Sequence, residues 1–200
     1  MFPEYILILA FPFTFGIIWY YLRQISSNKI QPNLVTWGIW TLTTGLSLLS
    51  SLDKERSLVL LFSNLNSLFV CFSVFALTLI QNFRIKKYHL KFTSIEIICL
   101  ILSLFGVLAW WIWQDSIFGF VASCLAIIIG SVPNIFQAYK KPENDSYFGY
   151  LSGTVAGLLT ILTIKNFTVF NMTFPIIEIT VNFIIIGFIE LLPLYKRFWV

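Results

Sequence analysis

The sequence predicts an all-α, polytopic membrane protein in which seven helices cross the bilayer. Hydrophobic residues make up 58% of the 200-residue chain and charged residues 11%, whereas soluble domains carry roughly 25% charged residues. The mean hydropathy is +0.85, and apolar stretches of about 20 residues, which cross about 30 Å of hydrocarbon, fill nearly the whole chain. These stretches lack the alternation of barrel strands, so helices are the expected way to satisfy the backbone in lipid.

The seven predicted spans follow one another through short connections. The first carries Glu4 where a cleavable signal peptide would have a positive segment, so we expect it to be retained. The fourth starts at Thr93-Ser94-Ile95-Glu96, a capping-box pattern. The sixth contains Gly153 and Gly157, whose spacing permits close approach of another helix. The predicted bounds are Glu4 to Leu22, Leu34 to Ser50, Ser57 to Gln81, Ser94 to Trp113, Ile117 to Tyr139, Tyr147 to Ile164 and Met172 to Leu192.

The distribution of basic residues predicts the orientation of these spans. Seven spans place the termini on opposite faces, and the loops of one face carry three of the thirteen Lys and Arg residues while the other face carries ten. Because cytoplasmic loops are enriched in Lys and Arg, the N-terminus is predicted outside and the C-terminus in the cytoplasm, with the cell membrane as the expected location. Orientation accounts for the basic loops, so nucleic acid is not an expected partner.

The chain shows no pattern typical of an enzyme or a metal site. His89 lies alone in a basic loop, and Cys71, Cys99 and Cys124 lie inside apolar stretches, where thiols act as small hydrophobes. No span carries paired acids, a Ser/His pair or a metal-ligand set, so we expect no catalysis and no cofactor. The expected partners are the bilayer and a small solute, and a homo-oligomer is compatible with the sequence.

A weak internal repeat relates the two halves. Shifting the chain by 113 residues lays Tyr21 over Asn134, Asn33 over Ser146 and Trp37 over Tyr150. This shift superposes spans one to three on spans five to seven and leaves the fourth as a connector, so both triplets have the same orientation. Such parallel repeats are a building plan of secondary transporters, with the substrate site near the midplane between them. The predicted units are a first repeat at 1–91, a linker helix at 92–114 and a second repeat at 115–200.

Short motifs at the ends of spans one and five point to a known family. Pro133-Asn134 lies late in span five, followed by the basic turn Lys140-Lys141-Pro142 and by Asp145-Ser146, and the matching turn of the first half runs from Arg23 to Asn33. Together with the three-one-three plan, these residues resemble the SWEET and PQ-loop membrane proteins, with Pro133-Asn134 at the place of their Pro-Gln pair. The resemblance implies a transporter or facilitator that works by alternating access.

Polar residues of spans three and seven form the predicted substrate site. With a rise of 1.5 Å per residue, Asn66 lies about 14 Å below Ser57 and Asn182 about 15 Å below Met172, so the two asparagines match in depth. Ser63 and Ser67 share the helix face of Asn66, whereas Asn64 points away and is expected to bond to another helix. The asparagines resemble those with which SWEET transporters bind sugar hydroxyls; the alternative is a structural pair that bonds to neighbouring helices.

Glu178 is the acid that lies deepest in a span without a cap or terminal role. It sits one turn above Asn182 on the same face. A carboxyl group that takes up and releases a proton is a usual device for coupling transport to protons, so Glu178 is the candidate for that role. The alternative is a carboxylate that bonds to water in an outer vestibule.

Other interpretations stay open at this point. Pro12, Pro133 and Pro175 are candidate hinges, or static kinks. The scaffold also suits a non-transporting ligand receptor or sorting protein, such as the KDEL receptors. Nicotinamide riboside carriers use a three-one-three plan with a Trp-x-x-Trp-x-x-x-Asn motif, which Trp37, Trp40 and Thr44 imitate without its asparagine, so a vitamin precursor or nucleoside-like solute is the second candidate cargo.

Overall fold

The computed structural model describes residues 5–52, 58–84, 92–113, 116–164 and 167–199. These residues form seven α-helices and one short 3₁₀ turn, Pro142–Asn144, which confirms the all-α prediction. The predicted unit boundaries at 91, 114 and 115 lie outside the described residues, as do six basic loop residues: Lys54, Arg56, Lys86, Lys87, Lys91 and Lys165. The helices are α1 Tyr5–Ser26, α2 Leu34–Leu52, α3 Leu58–Arg84, α4 Ser94–Trp113, α5 Ser116–Lys140, α6 Tyr147–Thr163 and α7 Val169–Trp199.

The last helix is longer than predicted. The prediction stops at Leu192, one residue before Pro193, whereas α7 continues through that proline to Trp199. A helix in lipid tolerates an internal proline when neighbouring groups bond to the freed carbonyl. The other predicted bounds differ from the observed ones by four residues or fewer, and those of α4 coincide with them.

Within the part of the chain that the structure describes, three helices are long and apolar enough to cross a membrane; their candidate spans are Ser63–Arg84, Val121–Lys140 and Met172–Leu191. Three shorter apolar helical segments accompany them: Leu34–Leu49, Ser94–Leu108 and Tyr147–Thr163. Large hydrophobic side chains face outward, among them Phe72, Phe83 and Phe105, while buried side chains include Thr36, Thr43 and Asn182. An apolar exterior around a partly polar interior is the arrangement expected of a helical bundle in lipid.

The helices pack in the same pattern in both halves. Helix α3 packs against α1 and α2, and α7 packs against α5 and α6. Across the halves, α1 packs against α6 and α2 packs against α5. The internal repeat matches α1 with α5 and α2 with α6, so the α1–α6 contact corresponds to the α5–α2 contact. The contacts between the halves therefore follow the symmetry of the repeat. Helix α4 covers α5 and also touches α2.

Close approach of α6 and α7 depends on the two glycines of α6. A Cβ atom on Gly157 would lie 2.8 Å from Cγ1 of Ile179, and one on Gly153 would lie 2.6 Å from Nδ2 of Asn182. Both distances are shorter than van der Waals contact, so a side chain at Gly157 would displace Ile179 and one at Gly153 would displace the amide of Asn182. The predicted role of this glycine pair in close packing is confirmed.

The loops that precede α2 and α6 meet at one end of the bundle. The Gln31 N–H donates to the Asn144 carbonyl (2.8 Å), and Gln31 and Asn144 are related by the 113-residue shift. The Gln137 side chain donates to the Gln31 carbonyl (2.8 Å). Asn33 donates to the Glu96 carboxylate (2.6 Å), which also accepts the Thr93 N–H in the predicted capping box. The α1–α2 loop is therefore tied both to the second half and to α4.

Candidate functional site

A cavity lies between the two sets of three helices. Its cavity volume is about 50 Å³, and the empty space around it, including the open mouth, is about 620 Å³. Side chains from α2, α3, α5, α6 and α7 line it, so both halves contribute. Its polar and aromatic lining residues are Trp37, Trp40, Thr43, Thr44, Asn66, Ser67, Ser152, Phe174, Glu178 and Asn182.

The structure brings together four of the five polar residues that the sequence singles out. Asn66, Ser67, Asn182 and Glu178 all line this cavity. Ser63 does not line it; its hydroxyl lies 2.9 Å from the hydroxyl of Thr160 on α6, so it joins the two halves directly. Asn64 donates to the Ser47 carbonyl of α2 (3.4 Å), the interhelical bond expected of it.

The polar groups around the cavity fall into two classes. Thr44 and Ser152 donate to carbonyls of their own helices, Trp40 and Gly149 respectively, each at 2.7 Å. Asn66, Asn182 and Glu178 make no hydrogen bond within the described part of the chain. Asn182 is also buried, with 3% of its surface exposed. These three side chains are therefore free to bind something inside the cavity.

Two tryptophans of α2 form the wall nearest the joined loops. The rings of Trp37 and Trp40 meet edge to face with their centroids 5.1 Å apart, and Tyr150 lies 6.0 Å from Trp37 and 6.4 Å from Trp40. The indole N–H groups of both tryptophans are buried without a hydrogen-bond partner among the described residues. This wall thus has an aromatic surface, with both indole N–H groups buried inside the fold.

A buried hydrogen-bond network lies next to this wall, toward the joined loops. Tyr21 of α1 and Tyr150 of α6 both donate to the Asp145 carboxylate, at 2.6 and 2.5 Å, and the Ser146 N–H donates to it at 2.8 Å. Asn134 of α5 donates to the Tyr150 hydroxyl. Tyr21 and Asp145 belong to different halves, so this network, which we call the Asp145 network, ties the halves together.

Burial raises the pKa of the Asp145 carboxyl to about 6, although the hydrogen bonds from Tyr150, Tyr21 and the Ser146 N–H oppose this shift. The folded chain therefore holds this proton at pH values where the unfolded chain has released it. Asp145 contributes its full stabilisation below about pH 4, the usual pKa of aspartate. That contribution is lost as the pH rises through about 6.

We expect the purified protein to be more stable at pH 5 than at pH 7.5 because of Asp145. The contribution of this group is about 1 kcal/mol over that interval. The Asp145→Asn variant removes the titration, so its stability should change less between the two pH values, whereas Glu143→Gln, which changes a nearby exposed acid, should behave like the wild type. Thermal unfolding in detergent measures this, and an equal pH dependence in the wild type and Asp145→Asn would contradict the assignment.

The three candidate hinge prolines lie inside continuous helices. Pro12 in α1 is exposed, while Pro133 in α5 and Pro175 in α7 are buried. Pro133 directly precedes Asn134 of the Asp145 network, and the Pro175 carbonyl lies beside Gly157 of α6. Two of the three prolines therefore adjoin contacts that position the cavity.

The sequence interpretation missed the Asp145 network. A signal for it exists in the internal repeat, because the same shift lays Tyr21 over Asn134 and Trp37 over Tyr150, and all four side chains meet here. Comparison with protein-family models, with curated protein sequences and with solved structures gives no match to this chain.

Proposed function

We propose that the chain is a multi-pass membrane transporter or facilitator that moves a small polar solute by alternating access between two three-helix repeats. The observation that carries this proposal is the cavity between the two sets of helices, where Asn66, Asn182 and Glu178 have no hydrogen-bond partner in the described part of the chain. Asn182 is buried and Asn66 and Glu178 are half-buried, so their polar atoms are available to a molecule inside the cavity. A solute with hydroxyl or amide groups supplies the missing partners.

The packing of the helices supports a mechanism in which the halves rock against each other. The contacts within each half are alike, and α1–α6 and α2–α5 join the halves. In alternating access such halves move around the solute so that one end opens while the other closes. The Asp145 network closes the end near the joined loops, and its Tyr21–Asp145 bond must break when that end opens. Pro12, Pro133 and Pro175 are the proposed hinges.

A sugar-like solute is the first candidate cargo. A carboxamide has two donors and two acceptors, so Asn66 and Asn182 suit a polyhydroxy compound, as the resemblance to SWEET and PQ-loop proteins also implies. The aromatic wall of Trp37 and Trp40 favours a second candidate, a nucleoside-like solute or vitamin precursor with a ring that stacks on it. A ligand receptor on the same scaffold would bind the solute without moving it.

The proposed orientation places the N-terminus outside and the joined loops in the cytoplasm. We expect a cysteine introduced beside Lys165 to react with an impermeant thiol reagent applied to intact cells, and one beside Lys140 not to react. The variants are made in a background with Cys71, Cys99 and Cys124 replaced by alanine. The opposite labelling pattern would reverse the orientation.

Uptake into liposomes that contain the purified protein tests the transport proposal. A thermal-shift screen of sugars, nucleosides and amino acids selects the solute, and uptake is then measured with and without an imposed pH gradient. If Glu178 couples protons, Glu178→Gln should keep exchange of the solute and lose accumulation driven by the gradient. If the solute binds but enters these liposomes no faster than protein-free liposomes, the protein is a receptor and not a transporter.

A further inference from the structure

Glu178 is an acid in the cavity with no basic side chain beside it among the described residues. It is the only Asp, Glu, Lys, Arg or His among the described residues that line the cavity, and Cys71 of α3 is the only other titratable group there. Gly153 of α6 faces it, and a Cβ atom at that position would lie 3.4 Å from the Glu178 carboxylate. The neighbouring helices therefore present small or neutral groups to this acid.

An acid in such a position either holds a proton or, when ionised, pairs with a group from outside the chain. Transfer of an unpaired charge from water into a low-dielectric interior is costly, so charged groups inside membrane proteins pair with other charges, with water or with a ligand. A positively charged ligand in the cavity would remove that cost. A neutral ligand would leave it in place.

The aromatic wall suits the same kind of ligand. The faces of tryptophan rings attract cations, and the attraction is strongest where water is excluded. Trp37 is 1% exposed and packs behind Trp40 and against Tyr150, whereas Trp40 is half-buried, so Trp40 presents the accessible ring surface and Trp37 holds it in place. Glu178 and these rings line one cavity, which gives a cation both a counter-charge and an aromatic surface.

We infer that the solute is a small organic cation whose charge pairs with Glu178 and whose apolar body packs against Trp40, which Trp37 supports from behind. Asn66 and Asn182 bind its polar atoms. This inference rests on the proposed function and narrows its substrate class, because neutral sugars and neutral nucleosides lack the charge. Since Glu178 is the single acid of the lining within the described residues, a cation and a proton would compete for it.

A pair of ligands with the same shape and different charge tests the inference. Choline carries a quaternary ammonium group, and 3,3-dimethylbutan-1-ol is its neutral carbon counterpart. Binding is measured by quenching of tryptophan fluorescence and by thermal shift on purified protein in detergent. We expect choline to bind with at least ten times the affinity of the neutral alcohol or of glucose, and Glu178→Gln to remove that preference.

Glu190→Gln is the matched control, because Glu190 is an exposed acid on the same helix and its replacement should leave choline binding unchanged. Thermal unfolding without ligand checks that Glu178→Gln folds. Equal affinity for choline and its neutral counterpart, no saturable choline binding, or unchanged binding in Glu178→Gln would each overturn the inference. Choline binding without uptake into liposomes would instead overturn transport and leave the cation site in place.

Discussion

Replacement of Asn182 by alanine is expected to lower solute affinity and initial uptake about 10- to 100-fold. Asn182 is buried, lines the cavity and has no hydrogen-bond partner among the described residues, so under the proposed function it supplies polar contacts to the bound solute. A hydrogen bond lost at a buried site costs about 1–3 kcal/mol, and about 1.4 kcal/mol corresponds to a tenfold change in affinity. Asn66→Ala should act in the same direction, with a smaller effect because Asn66 is only partly buried.

Asn64→Ala is the matched control for both variants. Asn64 lies two residues from Asn66 on the same helix but bonds to the Ser47 carbonyl of α2, so its loss should leave uptake per folded molecule close to the wild-type value. Uptake is compared in liposomes with equal amounts of folded protein. Normal uptake by both Asn66→Ala and Asn182→Ala would mean that the two asparagines have only a structural role.

Replacement of Gly149 by alanine is expected to lower the free energy of unfolding by about 1–3 kcal/mol, the range for overpacking a well-packed core. A Cβ atom at Gly149 would lie 2.8 Å from Cζ of Tyr21 and 2.9 Å from Cε1. The Tyr21 ring cannot move aside easily, because it is fully buried, packs against Trp37 and Tyr150 and donates to Asp145. The substitution therefore forces α6 away from α1 or breaks the Asp145 network.

Gly187→Ala and Gly16→Ala are the controls. A Cβ atom at either position meets nothing within 4 Å, and alanine favours a helix by up to about 1 kcal/mol over glycine. Both variants should unfold at the wild-type temperature or above it in detergent. If Gly149→Ala is as stable as these controls, then the contact between Tyr21 and α6 does not limit the stability of the fold.

Local patterns predicted most of the helical architecture. Apolar length set the approximate helix bounds, and the capping box at Thr93 and Glu96 is present as expected. Helical periodicity also separated Asn66, which faces the cavity, from Asn64, which bonds to α2. These features depend on residues within a few turns of one another. The predicted end of α7, Leu192, lies seven residues before the observed end, Trp199. Local patterns could not place this end, because whether a helix continues through Pro193 depends on its surroundings.

The Asp145 network could not be predicted from local patterns. Its Tyr21–Asp145 bond joins residues 124 positions apart, and Asp145 follows a basic turn where a solvated acid is the ordinary expectation. The position of Ser63 could not be predicted from local patterns either. It shares the helix face of Asn66, but its hydroxyl forms a hydrogen bond with the hydroxyl of Thr160 of α6. In both cases the partner comes from the other half of the chain, and its position depends on how the helices assemble.

The long sequence separation within the Asp145 network also sets an order of assembly during synthesis. Residues 1–113 contain Tyr21 and Trp37, but their partners Asp145 and Tyr150 are made later. Until α6 is made, α1 lacks one of its main packing partners, and the Tyr21 hydroxyl lacks its acceptor. The first three helices therefore reach their final packing only after the sixth has been synthesised, and formation of the Tyr21–Asp145 bond reports that both halves have come together.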